Sequence, residues 1–102
     1  MAAVPSTIDK KWMSDARQYL VVEYDDTFLF YFRPSGETHF LNFLSYGMVD
    51  AVSRAPLSVQ ELWSQMRTEF SLTAEELPET LVVTTLDELD QAGLITATSA
   101  GT

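Results

Sequence analysis

Cysteine is absent, histidine occurs once, and no lysine or arginine follows Arg67. Each gap removes a class of function. Without cysteine there is neither a disulfide framework nor a thiol nucleophile, and zinc would have to be held by one histidine and carboxylates. Nowhere do eighteen apolar residues run together, so no membrane helix is expected. The start, MAAVPSTIDKKW, has no long apolar core after its charges and no small-residue cleavage pattern, which points to a cytoplasmic protein with no membrane partner. Fifteen acidic residues against six basic give a net charge of −9. Nucleic-acid affinity comes largely from cations that displace condensed counterions from phosphates. The C-terminal third, with seven acids after Arg67, should therefore repel nucleic acid. Those acids serve solubility or an acidic docking surface.

Catalytic parts are missing too. The one histidine, His39, falls in a strand with no serine in a nucleophile-elbow context, and it reads as a structural or surface residue. The carboxylate pairs Asp25-Asp26, Glu75-Glu76 and Asp87-Glu88 are adjacent in sequence, on a turn or on helical surfaces where their side chains diverge. General acid-base work needs facing carboxyls in a water-poor cleft. Glycine-rich phosphate loops and calcium loops are not present. The expectation is a non-enzyme that needs no cofactor and no metal.

What remains is a chain of 102 residues, 46% hydrophobic and 12% aromatic, enough for one domain with one modest core. Residues 1–17 read as a flexible N-terminal arm or a short helix, with Trp12 its main anchor. From Gln18 the β pattern begins. Tyr19 to Tyr24 and Thr27 to Phe32 are rich in β-branched and aromatic residues around an Asp25-Asp26 turn, and predict a hairpin. Arg33-Pro34-Ser35-Gly36 has the proline and glycine of a type I turn, and Glu37 to Leu41 returns as a third strand. In the second strand Phe28, Phe30 and Phe32 share one face, while Leu29 and Tyr31 share the other. Both faces are apolar, so the second needs a cover: the arm, another subunit or a ligand.

Helices follow. Asn42 caps a segment from Phe43 to about Arg54 that ends at Ala55-Pro56, and Gly47 within it weakens the helix while allowing close packing. Ser58 and Glu61 form a capping box, flanked by Leu57 and Leu62 at staple positions, for a second helix to about Phe70. The same device at Thr73 and Glu76 meets Pro78 and opens only a turn, so the third helix starts near Pro78. Its apolar stripe is Leu81, Val82, Leu86, Leu89 and Ala92, and Gly93 is its left-handed cap. Leu94 and Ile95 close the core, and residues 97–102 read as a loose tail. The fold class is α+β, winged helix-turn-helix-like: a three-stranded antiparallel sheet followed by three helices, domain 18–96.

GETHFLN at 36–42, APLSVQELWSQM at 55–66 and LDELDQAGLI at 86–95 together resemble the small PqqD-like proteins. More narrowly, the chain is similar to the PqqD-family peptide chaperones that accompany a relative of HPr kinase, the HPr-rel-A system. Phe43-Leu44-Ser45-Tyr46-Gly47 is bulkier than the small-residue start usual for helix one in that family. The resemblance implies a recognition element for the precursor peptides of ribosomally made, modified products, with three strands on a winged-helix core. In it a precursor or leader peptide adds as a further strand along strand three, in the groove against helix three, and is presented to a modifying enzyme or kinase-like protein of the same system.

On this chain the matching strand positions are Glu37, Thr38, His39, Phe40 and Leu41, and the helix positions are Val83, Leu86, Asp87 and Asp90. Independently of family, an edge strand offers unpaired N–H and C=O groups that an extended guest satisfies. Two other readings compete. One is a homo-oligomeric adaptor, a homodimer in which the exposed sheet face and edge pair with a second copy, edge strand to edge strand. The other is a winged-helix transcription factor, favoured only by LxxLxxxGLI and opposed by the acids on that helix.

Overall fold

The computed structural model describes residues 10–25 and 27–99. The elements run β1 Lys10–Met13, β2 Tyr19–Tyr24, β3 Thr27–Phe32, β4 Glu37–Leu41, α1 Phe43–Arg54, β5 Leu57–Ser58, α2 Val59–Phe70, α3 Glu79–Gln91 and β6 Thr96–Ser99. The architecture is α+β, with three helices and two three-stranded antiparallel sheets rather than the one sheet expected.

The first sheet, β2-β3-β4, is built by two local turns. Tyr24 pairs with Thr27, and Asp25 takes the left-handed backbone (φ 56°) that a tight turn demands. Asp26, the other half of the expected turn pair, lies outside the described residues. At the second turn Gly36 adopts φ 73°, and its N–H donates to the Phe32 carbonyl at 2.8 Å. Alternation puts Phe28, Phe30 and Phe32 on the helix-facing side. Phe30 is wholly buried and stacks on Tyr19, while Phe28 stacks on Tyr46 of α1.

The second sheet, β5-β1-β6, corrects two expectations. The described part of the N-terminal arm is neither flexible nor helical, apart from one 3-10 turn at Ala16–Gln18. Lys10–Met13 is the central strand of this sheet. Trp12 faces Leu57 on one side and Ala97 on the other, and is 5% exposed. The expectation for residues 1–9 lies outside the described residues. The tail is not loose over Thr96–Ser99, which pairs along all four residues of β1. The physical reason is that both strands are short, polar and more than eighty residues apart, so neither carries a local apolar alternation. Their pairing becomes visible only when Trp12 is drawn into the core. Residues 100–102 of the expected tail lie outside the described residues.

Helix caps match the local chemistry. The Asn42 side chain accepts from the Ser45 N–H at 2.8 Å. Ser58 and Glu61 satisfy one another's backbone N–H groups, a device worth about 1 kcal/mol. Thr73 and Glu76 make the same reciprocal pair without a helix behind it. Pro78 occupies the cap position of α3, and Gly93 follows the helix with φ 81°. Gly47 lets α1 approach α2, since a methyl group there would meet the Phe70 ring at 3.1 Å. The shared core holds Met48, Val49 and Val52 of α1, Leu62 and Met66 of α2, and Val82, Leu86 and Leu89 of α3. Leu81, expected on that stripe, is instead 44% exposed.

Candidate functional site

The residues proposed from sequence divide into two separate surfaces. β4 pairs with β3 and packs on α1, and its other margin carries no strand among the described residues. Its outward positions are Thr38 and Phe40, and the Phe40 ring is 73% exposed. Its inward positions are Glu37, His39 and Leu41, opposite Phe32, Phe30 and Phe28. His39 is half-buried. Its Nε2 lies 3.7 Å from a Glu37 carboxylate oxygen, too far for a hydrogen bond, and has no other partner among the described residues.

Beside Phe40 the outer face of the sheet dips into an apolar depression of ≈ 380 Å³ lined by Tyr24, Asp25, Thr27, Leu29 and Phe40. It spans all three strands at the end where β2 turns into β3. Two signals in the sequence mark it: the even-numbered apolar run of β2 and the double-sided apolar character of β3. Those signals predict the need for a cover there but do not single out Tyr24 or Leu29 as site residues.

The α3 half lies elsewhere. Val83, Asp87 and Asp90 line a cleft of ≈ 350 Å³ with Thr84, and the strand facing them is β1, through Lys10 and Trp12. No residue of β4 lines this cleft. Leu86, expected to face a guest, is 1% exposed and belongs to the core. The expected groove between strand three and helix three is therefore not assembled. The N-terminal strand, expected from sequence as an arm, occupies that side of α3. Because β1 has a strand on both sides at Lys11 and Trp12, it is not a sheet edge there for a guest in the cleft to extend.

Electrostatics separate the two surfaces as well. α3 carries Asp87, Glu88 and Asp90 near its C-terminal end and no cation in its last turn, so these acids add to the negative pole of the helix dipole. Among the described residues, Lys10 is the cation that lines the cleft. Asp87 accepts from the Gln91 amide at 2.9 Å. The depression on the sheet, by contrast, has one charged lining residue among the described residues, Asp25. Among the described residues, no three histidine, aspartate or glutamate side chains gather into a metal-holding group. No described helix is long and apolar enough to cross a membrane.

Comparison with protein-family models, with curated proteins and with solved structures finds no match to this chain.

Proposed function

We propose that this protein is a non-catalytic peptide-binding chaperone or adaptor that captures an extended segment of a precursor or leader peptide along β4 and hands it to a partner enzyme. The observation that carries the reading is the unpaired β4 margin, flanked by an exposed aromatic and an apolar depression. Strand addition needs both parts: free backbone groups supply affinity, and neighbouring side-chain pockets choose the sequence. Thr38 and Phe40 border the guest on the outer side, and His39 on the inner. Val83, Asp87 and Asp90 lie outside this strand-addition site.

The order α1, β5, α2, α3, β6, with β1 as third strand of the small sheet, supports reading that half as winged-helix-like, with the β2-β3-β4 sheet appended. That reading agrees with the PqqD-like resemblance of the sequence. It does not favour nucleic acid. The helix that would enter the major groove is edged by Asp87, Glu88 and Asp90, which repel phosphate.

The test is selection of short peptides from a displayed library, followed by titration of the best binder into isotopically labelled protein. Amide shifts and new exchange protection across residues 37–41 are expected. Shifts confined to residues 10–13 and 83–90 would overturn the assignment of the edge.

A further inference from the structure

The outer face of the first sheet stands apart from the rest of this acidic chain. Strand alternation places Leu20, Val22 and Tyr24 of β2, Thr27, Leu29 and Tyr31 of β3, and Thr38 and Phe40 of β4 on it. None of these eight residues is charged, although the chain carries fifteen acids and six bases. The acids of these strands, Glu23 and Glu37, occupy the alternate positions and register opposite Phe28 and Phe32 on the other face. Leu20, Val22, Tyr24, Tyr31 and Phe40 expose between 42% and 73% of their surface.

The described N-terminal strand does not cover this face, because it is committed to the second sheet. We infer that the outer face of the β2-β3-β4 sheet is a self-association surface, and that two copies pack it face to face about a twofold axis. Shape, area and charge select a second copy as the occupant. Strands rising about 3.3 Å per residue and spaced about 4.8 Å make a broad face, and sheets of this kind pack about 10 Å apart with strands nearly aligned. The exposed side chains, three of them aromatic rings of roughly 200 Å² each, put on the order of 600 Å² per copy into such a contact. A standard interface takes about 800 Å² per partner, so the area is of the right class for a reversible dimer.

Charge points the same way. A foreign partner drawn by the net charge of −9 would find, among the described residues, no acid at the eight strand positions of this face and only Asp25 at its rim. A second copy finds eight uncharged strand positions identical to its own, as a twofold contact requires. This arrangement leaves the β4 backbone margin open but covers Phe40 and the depression beside it, so self-association and peptide side-chain selection compete for that pocket. The arrangement is distinct from a dimer joined edge to edge, which would consume that margin.

Sedimentation of the full chain without peptide, over a concentration series and at low and high salt, tests it. The expected result is reversible association to twice the 11.5 kDa protomer mass. The association should tighten as salt rises, because two acidic copies repel one another and salt screens that repulsion. The pair Leu20→Lys and Val22→Lys lies on β2, away from the β4 margin, and changes the net charge from −9 to −7. Overall repulsion falls, yet buried like charges meet across the axis, and association should weaken by about a hundredfold. Circular dichroism reports whether that variant folds. Should it not fold, Leu20→Thr with Val22→Thr keeps strand propensity, and weakened association of that variant supports the same contact while unchanged association overturns it. A monomer at every concentration overturns the inference, as does a folded lysine variant that still associates normally, or association that loosens with salt. Peptide selection at β4 reads separately, since it is scored by amide shifts and not by mass.

Discussion

The two sheets of this protein are made of opposite materials. The β2-β3-β4 sheet is contiguous in sequence, strongly aromatic, folded by two short turns, and, among the described residues, left open on one face with no further strand beside β2 or β4. The β5-β1-β6 sheet joins the N-terminal strand, a two-residue strand between helices and the segment after α3, and its only large buried strand residue is Trp12. The first turns part of its apolar surface outward. The second carries little apolar surface beyond Trp12 but packs against α1 and α2. A strand rich in aromatics is therefore not by that fact a core strand, and a strand reading KKWM can be the centre of a sheet. What separates them is whether the partner that covers the side chain lies within the chain.

The sharpest way to break this contrast is Trp12→Ala. A strand that holds the core should lose about 3–5 kcal/mol of unfolding free energy in urea titration, whereas a peripheral arm would lose almost nothing. A smaller effect is expected where β5 meets α2. Ser58→Ala removes the side chain that accepts from the Glu61 N–H at 3.2 Å and should cost about 1 kcal/mol by the same measurement.

Glu61 adds a pH signature to that junction. The Ser58 backbone N–H, donated to its carboxylate, holds the Glu61 carboxyl below the usual range, and Lys11 of β1, 3.8 Å away, acts in the same direction. A carboxyl lowered in the folded state contributes stability that is present above its unfolded value, about pH 4.3, and is lost as pH falls from there through the folded value. Glu61→Gln should flatten that part of the acid-unfolding curve, with only a small change in stability at neutral pH because the pair is largely in water.

The smallest effect belongs to the outer face. Tyr24→Thr at protein concentrations too low for association should change stability by less than about 0.5 kcal/mol, because that ring is 68% exposed. A loss comparable to that of Trp12 would erase the contrast between the two sheets.

Legibility followed the range of the interactions. The hairpin, the turn at Gly36, the caps at Asn42 and Ser58, the frustrated cap at Thr73 and the α3 stop at Gly93 were all readable, because each is specified within about four residues. The candidate site was legible by halves. Glu37 to Leu41 lie on an open strand margin as expected, and Val83, Asp87 and Asp90 share one cleft as their helical spacing implies. That the halves do not meet was unreadable, because it depends on β1 taking the side of α3 that β4 was expected to take. Leu86 shows the same limit: periodicity put it on the apolar stripe, but only packing decides which part of a stripe is sealed.

By itself the sequence determined the three strands of the first sheet and the three helices, their caps, the two-sided apolar character of β3 and the absence of cations after Arg67. These are properties of neighbouring residues and of composition, and they hold in any compact arrangement of the chain. Only the tertiary structure decided that Trp12 becomes a core residue, that Thr96–Ser99 becomes a strand, and that the acidic cleft and the free margin are different places. The reason is that strand pairing across more than eighty residues is selected by the closing of the whole core, and no local pattern encodes it.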